Sequence, residues 1–155
     1  METTLRDEIK QQKPFKSLYE EAILNIERTS NVLTDSMDQL LKPSGITPTQ
    51  YNVLRILRGA EPNGLCRNEV RDRMLKRMPD ATRLLDRMEE AGLVTRSRDT
   101  DDRRLVTTRI TKRGRKLVDS LDDVVKEAGR LQLGHLSDSS LRSLIKLLTA
   151  VRNPP

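Results

Sequence analysis

The chain of 155 residues carries 29 Lys and Arg against 23 Asp and Glu, a formal net charge of +6. Its length fits one domain, and its scarcity of aromatic residues, with one Phe, two Tyr and no Trp, favours a helical core of Leu, Ile, Val and Met over a β-sandwich or barrel. One cysteine, Cys66, excludes an internal disulfide, and the lack of a long apolar run or a signal peptide predicts a cytoplasmic protein that does not enter a membrane.

The excess positive charge belongs to one segment. Residues 60–116 contain 16 basic and 10 acidic residues, a net charge of +6, whereas the remainder contains 13 of each. Such a concentration is expected where a protein neutralises the phosphates of a nucleic acid. The segment is therefore the candidate for DNA binding.

The N-terminal part predicts an arm followed by one long helix. Residues 1–14 are charged and lack a helical period, so we expect a mobile arm or a loosely held first turn, with a partner subunit as one surface for it to cover. From Phe15 to Leu41 apolar residues recur at intervals of three and four. This spacing predicts an amphipathic helix, which Pro43 and Gly45 end.

The next two helices are short. Thr47 is placed to cap the first of them, with Pro48 at its first position and Gln50 completing a capping box. Its end is expected at Gly59. A support helix then follows from Cys66 to about Met74.

A third helix of this segment is predicted between Pro79, which suits a first helical turn, and Gly92, which suits the left-handed residue beyond a helix end. Leu84, Leu85 and Met88 share one face, so the opposite polar face is free. For Asp80, at the start of this helix, we expect stabilisation of the helix start in preference to a contact with a cytosine.

Two short runs rich in Val, Thr and Leu follow, at residues 93–98 and 104–110, joined by a charged loop. They predict a two-stranded ribbon, in which a period of two lets Val94, Val106, Thr108 and Ile110 pack. Arg96, Arg98 and Arg109 are expected to project outward.

Two further helices are predicted at the C-terminal end. Thr111 is placed to cap a long helix that reaches about Leu133, and Ser137 to cap a last helix that ends before Asn153. With the first long helix, these make three amphipathic helices, more than a small DNA-binding lobe can bury. We therefore expect a symmetric homodimer, and the alternative is an intramolecular helical bundle.

A family resemblance becomes specific in the ribbon region. The run TRLLDRMEEAGLVTR, followed by DRR and then IT..G, resembles the wing region of the MarR (multiple antibiotic resistance regulator) family, including its D-x-R pattern as Asp102, Arg103 and Arg104. The resemblance covers roughly Phe15–Arg152. It implies a mainly α fold with a small two-stranded β wing, in which a winged helix-turn-helix domain is joined to a helical dimerisation region. The implied parts of this single MarR-like domain are the arm at 1–14, dimerisation helices at 15–42 and 112–153, and a winged-helix DNA-binding lobe at 46–111.

The same resemblance implies a function. The chain is expected to be a sequence-specific transcriptional regulator of double-stranded DNA, a ligand-responsive repressor that binds a near-palindromic operator as a homodimer. The residues expected in the major groove are Thr82, Arg83 and Arg87. Arg103 and Arg104 would lie at the wing tip, where Arg104 would enter the minor groove while Asp102 orients the tip. The residues expected on phosphates are Lys76, Arg77, Arg96 and Arg98.

An effector is also implied, because regulators of this family often bind small phenolic or lipophilic acids between the dimer platform and the wing domain. On this chain the crevice would draw on Leu33, Met37, Tyr51 and Leu54, with Arg55 or Arg58 facing a carboxylate. Each of these residues also has an ordinary interpretation as a core or surface residue. The sequence does not specify the acid.

Other classes of function were weighed. The chain has one histidine, His135, and no metal-spaced cluster, phosphate-cradling loop or nucleophile motif, so neither an enzyme nor a cofactor is predicted. Cys66 at a helix start leaves open a thiol-based redox-sensing repressor, although a buried, inert cysteine is the commoner case. The remaining alternatives are a non-specific architectural DNA-binding protein and a helical protein that binds RNA or an acidic protein.

Overall fold

The computed structural model describes residues 3–98 and 105–155. Within these ranges the chain forms seven α-helices and three short strands, so the fold is mainly α with a small antiparallel sheet, as predicted. The elements are α1 (Leu5–Glu8), α2 (Leu18–Leu41), α3 (Pro48–Gly59), β1 (Leu65–Cys66), α4 (Arg67–Arg73), α5 (Ala81–Glu90), β2 (Val94–Arg98), β3 (Val106–Ile110), α6 (Lys112–Leu133) and α7 (Asp138–Arg152). A 3-10 turn, Lys42–Ser44, links α2 to the α3 segment.

Most helix starts follow the predicted caps. The Gln50 backbone N–H donates to the Thr47 hydroxyl at 3.2 Å, and the Gln50 side chain accepts from the Thr47 N–H at 2.9 Å. At the starts of α6 and α7, the Thr111 and Ser137 hydroxyls accept from the backbone N–H groups of Gly114 and Ser140. These bonds satisfy amides that have no partner inside the first helical turn.

The start of α5 differs from the prediction. Pro79 lies before the helix, and Asp80 is the cap, with one carboxylate oxygen accepting from the Arg83 backbone N–H at 3.1 Å. Asp is among the best capping residues because its side chain supplies the acceptor that the first turn lacks. Asp80 therefore stabilises the helix start, as expected.

The sheet has three strands in the order β1-β3-β2, one more than predicted. In the β2-β3 pair, Arg96 stands opposite Thr108 and Arg98 opposite Val106. Because alternate residues share a face, Arg96 and Arg98 lie on the packed side of the sheet with Val94. The prediction that Arg96 projects outward is wrong, whereas Arg98 is exposed at the open end of the strand.

The core lies between α3, α4, α5, the sheet and the first half of α6. Its fully buried side chains include Leu41, Val53, Leu54, Leu57, Val70, Leu85, Met88, Val94 and Val118. These side chains bury one face of α5 and most of α3. Helix α3 is therefore central to the core, as its sequence indicates.

Two glycines shape the approach of the wing to the core. Gly92 has a φ of 70°, the left-handed conformation predicted for the residue beyond α5. Gly114 lies directly against the Leu93 carbonyl oxygen, in a space that a Cβ would overlap. The Thr111 hydroxyl also donates to the Gly92 carbonyl at 2.7 Å, so the start of α6 is tied to the end of α5.

The N-terminal arm contains one helical turn, α1, which lies against α2. Thr4 caps it, Leu5 is buried, and Glu8 pairs with Arg28 of α2 at 3.3 Å. Part of the predicted arm is thus a helical segment held by a neighbouring helix.

Outside the lobe, α2, α6 and α7 keep apolar faces in solvent. The most exposed large apolar side chains on these helices are Leu18, Tyr19, Ile23, Val32, Leu131, Ile145, Leu147 and Val151. Helix α7, which is described in full, has no buried residue. In the described parts of the chain, no helix combines the length and apolar character needed to cross a membrane.

Candidate nucleic-acid interface

Helix α5 carries the central residues of the predicted interface. Leu85 and Met88 are buried beneath it, while Arg83 and Arg87 are exposed on its other side and Thr82 is half-buried. A B-DNA major groove is about 12 Å wide and admits a helix whose outer face is polar in this way. The helix therefore has the division of faces that a DNA-reading helix needs.

The guanidinium of Arg83 is held from one side. Its Nε lies 3.1 Å from one carboxylate oxygen of Asp80, whose other oxygen caps the helix. The Arg83 side chain is nevertheless 82% exposed. The Asp80 carboxylate thus fixes the Nε edge of an arginine that is otherwise open to solvent.

Sequence reasoning missed one contact on this face. The Arg67 Nη1 donates to the Thr82 hydroxyl at 3.2 Å, which joins the start of α4 to the start of α5. Both residues border a cavity of about 320 Å³, which Cys66 and Arg96 also line. No local signal marks Arg67, because the contact depends on the angle at which α4 and α5 meet.

Arg96, predicted to contact phosphate, is instead engaged by two carboxylates of α5. Its Nη2 lies 2.6 Å from Asp86 and 2.6 Å from Glu89, and its Nε donates to the same Glu89 oxygen at 2.9 Å. The hydrogen bond from Arg96 lowers the pKa of the Glu89 carboxyl, and the bond to Glu89 raises the pKa of Arg96. The network joins strand β2 to α5.

The other predicted phosphate contacts are open to solvent. Lys76 and Arg77 are exposed on the connection between α4 and α5, and Arg98 is exposed at the end of β2. The predicted wing-tip residues Asp102, Arg103 and Arg104 lie outside the described residues. In the sequence, Lys76 and Arg77 precede α5 and Arg98 follows it.

A cavity of about 600 Å³ opens between α2, the start of α3 and the α4–α5 connection. Leu33 and Met37 line it, as the crevice prediction has it, and so do Lys76 and Arg87. The other three residues predicted to line the crevice, Tyr51, Leu54 and Arg55, are not among its lining residues.

The position of these three residues follows from the burial of α3. Tyr51 and Leu54 belong to the hydrophobic core, and burial raises the pKa of the Tyr51 hydroxyl. Arg55 lies over the Tyr51 ring, 6.0 Å from its centroid. Arg58, the other predicted partner of a carboxylate, pairs with Asp119 and Asp122 of α6.

Cys66, the candidate redox residue, is half-buried at the start of α4. Its backbone N–H donates to the Glu69 carboxylate at 2.8 Å, and this bond lowers the pKa of Glu69. The residue thus occupies the predicted cap position.

Comparison with known proteins adds to this geometry. Residues 44–105 match the model of the MarR family. The chain is similar to a MarR transcription factor from Planctomyces limnophilus, with 36% identity, 88% of this chain and 98% of that chain covered, and a TM-score of 0.68. It is also similar to S. aureus MepR in a complex with DNA, with 25% identity, coverage of 89% and 97%, and a TM-score of 0.77. A curated relative, the transcriptional repressor IacR of Pseudomonas putida, is 25% identical over 118 residues, which are 76% of this chain and 70% of the relative.

Proposed function

Because the chain belongs to the MarR family of DNA-binding transcriptional regulators, we propose that it is a repressor that binds a near-palindromic operator as a homodimer. The observation that carries the proposal is the exposed polar face of α5, together with the exposed cations Lys76 and Arg77 on the connection before α5 and Arg98 at the end of β2. Family members are transcription factors, so the protein is not an enzyme. Its proposed location is the cytoplasm, where it has access to the DNA it regulates.

The uncovered apolar faces of α2, α6 and α7 support the homodimer. Leu18 and Tyr19 are more than four-fifths exposed, and Ile145 and Leu147 nearly two-thirds. Monomeric proteins rarely leave such contiguous apolar surface in water, and a second copy of the same chain offers matching faces. Two lobes related by a two-fold axis then read two half-sites about 10 bp apart.

In this arrangement Thr82, Arg83 and Arg87 read bases in the major groove. Lys76, Arg77 and Arg98 hold phosphates and set the register of the lobe on the duplex. Arg103 and Arg104, with Asp102 orienting them, serve the minor groove. Occupying a promoter requires no contact beyond these, and this favours repression over activation.

The experiment is selection of duplex fragments from the source genome at near-physiological salt, followed by sequencing of the bound fraction. A near-palindrome with half-site centres about 10 bp apart is the expected result. Binding of duplex DNA without any enriched sequence would show an architectural DNA-binding protein instead. Preference for RNA or for an acidic protein would show a helical interaction protein.

We further propose that the 600 Å³ cavity binds a small aromatic or lipophilic acid. Leu33, Met37 and Leu84 supply an apolar wall, and Lys76 and Arg87 supply cations for a carboxylate. Both cations are also proposed DNA contacts, so an acid that engages them withdraws them from the duplex. The acid would therefore bind the DNA-free protein more tightly than the DNA-bound protein. Such a difference in affinity allows a ligand to shift the equilibrium towards free protein.

The proposed effector site is tested by adding aryl carboxylates, or their neutral amides, to the preformed complex of the protein with DNA. The acids are expected to release DNA and the amides to leave it bound, with Lys76→Met reducing the response to acid. Release by peroxide instead, abolished in Cys66→Ser, would favour the redox-sensing alternative.

A further inference from the structure

We propose that Arg96 is a positioning residue that fastens the wing to the recognition helix α5, and that it makes no phosphate contact. The inference rests on the proposed function, since it assigns a role within the same DNA-binding surface. It also removes one cation from the set that the sequence places on DNA.

The Nε, the Nη2 and the backbone N–H of Arg96 already have carboxylate partners. Its Nε and Nη2 donate to one oxygen of Glu89 at 2.9 and 2.6 Å, and its backbone N–H donates to the other oxygen at 2.9 Å. Nη2 also meets Asp86 at 2.6 Å. One residue of β2 is thereby joined to two residues of α5 through both its main chain and its side chain.

The charge of this cluster is unfavourable for a phosphate. Two carboxylates surround one guanidinium, so Arg96, Asp86 and Glu89 together carry a net charge of −1. The Arg96 side chain is 24% exposed, against 82% for Arg83. A phosphate that approaches Nε or Nη2 of Arg96 would have to displace carboxylates that are already in place, whereas Arg83 presents most of its surface to solvent.

The position of the cluster explains what it does. Arg96 stands opposite Thr108, which is 1% exposed, and shares its face with Val94, which is 2% exposed. The pair with Glu89 therefore lies at the base of the β2-β3 ribbon, where the ribbon leaves the core. A charged pair that is partly withdrawn from water is less screened than a surface pair, and this one holds the ribbon at a set angle to α5.

This angle matters for reading DNA. The helix and the wing enter different grooves, so both can engage one half-site only when their relative orientation matches the duplex. Fixing that orientation before binding reduces the ordering cost of the complex. Loss of Arg96 should therefore weaken operator binding without changing the number of phosphates contacted.

The experiment measures dissociation constants of Arg96→Met, Glu89→Gln and Arg96→Lys across a salt series. The probes are the operator selected with the wild-type protein and a scrambled duplex of equal length. Arg96→Met is expected to weaken operator binding about tenfold with little change for the scrambled duplex, because the wing and α5 then have to be ordered relative to each other when the operator is bound. Its salt slope should remain that of the wild type, and Arg96→Lys should restore part of the affinity.

Glu89→Gln separates the two roles of Arg96. Fastening predicts that the preference for operator over scrambled duplex falls, as in Arg96→Met. A phosphate contact predicts that this preference is preserved while both duplexes bind more tightly, since removal of the competing carboxylate would free the guanidinium for DNA of any sequence. A salt slope lowered by about one in Arg96→Met, together with preserved preference in Glu89→Gln, overturns the inference.

Hydrogen exchange of the β2 amides gives a readout that needs no operator. Faster exchange at residues 94–98 in both variants, with the helices protected as in the wild type, supports the fastening, and unchanged exchange contradicts it. If the wild-type protein selects no operator, the proposed function fails, while the exchange data still decide whether Arg96 fastens the wing. If Arg96→Met does not fold, Glu89→Gln carries both measurements.

Discussion

Asp80 serves two partners with one carboxylate. One oxygen caps α5 through the Arg83 N–H, and the other pairs with the Arg83 Nε, each at 3.1 Å. Holding Nε leaves the two terminal nitrogens of Arg83 to form a fork, the group that recognises guanine O6 and N7. The same residue thus caps the helix and lies against the guanidinium of an arginine whose side chain is 82% exposed.

Replacement of Asp80 by Asn should separate these roles. Asn caps a helix about as well as Asp, so the melting temperature should change little, while the orientation of Arg83 is lost. We expect operator profiling to show relaxed preference at the base pair that Arg83 contacts. Asp80→Ala is the control, since it removes the cap as well and should cost about 1 kcal/mol of folding stability. Unchanged base preference in Asp80→Asn would show that the pair does not orient Arg83.

Gly114 is required by a close approach of α6 to the chain before β2. A Cβ at this position would overlap the Leu93 carbonyl oxygen, whereas Gly129 of the same helix has nothing near its missing Cβ. Gly114→Ala should therefore destabilise the fold by about 1–3 kcal/mol, the usual range for overpacking. Gly129→Ala should stabilise it by up to about 1 kcal/mol through helix propensity. If the denaturant midpoints of Gly114→Ala and Gly129→Ala shifted in the same direction from the wild-type value, these expectations would be contradicted.

At the scale of elements, one arginine joins the DNA-binding lobe to the long C-terminal helix. Arg58 of α3 contacts Asp119 of α6 at 2.6 Å and Asp122 at 2.8 Å, and a second nitrogen reaches Asp122 at 3.0 Å. The Arg58 side chain is 27% exposed. Because α6 leads from the wing to the proposed dimerisation region, the contact fixes the position of the lobe relative to that region.

This contact predicts a dependence of stability on pH. The hydrogen bond from Arg58 lowers the pKa of Asp122 below its ordinary value of 3.8. A carboxyl with a lowered pKa in the folded state contributes stability at pH values above its unfolded pKa, and the contribution disappears as the pH falls through the folded pKa. We expect the free energy of unfolding to decline below about pH 4, and Asp122→Asn to decline less steeply. Parallel pH curves for the two proteins would show that Asp122 is not a source of the acid sensitivity.

At the scale of the whole molecule, the exposed apolar face of α7 is part of the surface proposed to form the homodimer. Ile145 is 64% exposed, and the exposed Lys146 lies about 100° around the helix from both Ile145 and Leu147. Ile145→Asp should place a charge in the subunit interface and yield monomers in sedimentation experiments, with operator affinity lowered at least about 100-fold because the two half-sites are no longer bound as one unit. Lys146→Asp should remain dimeric. Dissociation of the Lys146 variant alone would place the interface on another face of α7.

The sequence by itself determined the features that depend on neighbours a few residues away. Thr47, Thr111 and Ser137 mark three helix starts, because a cap bonds to an amide only three residues along the chain. Gly92 marks the end of α5 through its own backbone conformation. The division of α5 into a buried and a polar face also follows from spacing within one helix, so the candidate site could be located without coordinates.

Only the tertiary structure decided which of these residues meet. Strand β1 has two residues and no periodic signal of its own, and it exists because β3 lies beside it. The contact of Arg67 with Thr82, the engagement of Arg96 by Glu89 and the withdrawal of Tyr51 into the core all depend on the packing of elements that are distant in the chain. The physical reason is range: caps and turns are satisfied within one helical turn, whereas an ion pair or a buried side chain is satisfied by whichever partner the fold brings to it. For this protein the local signals locate the proposed DNA-reading surface, and long-range packing determines which of its cations are exposed.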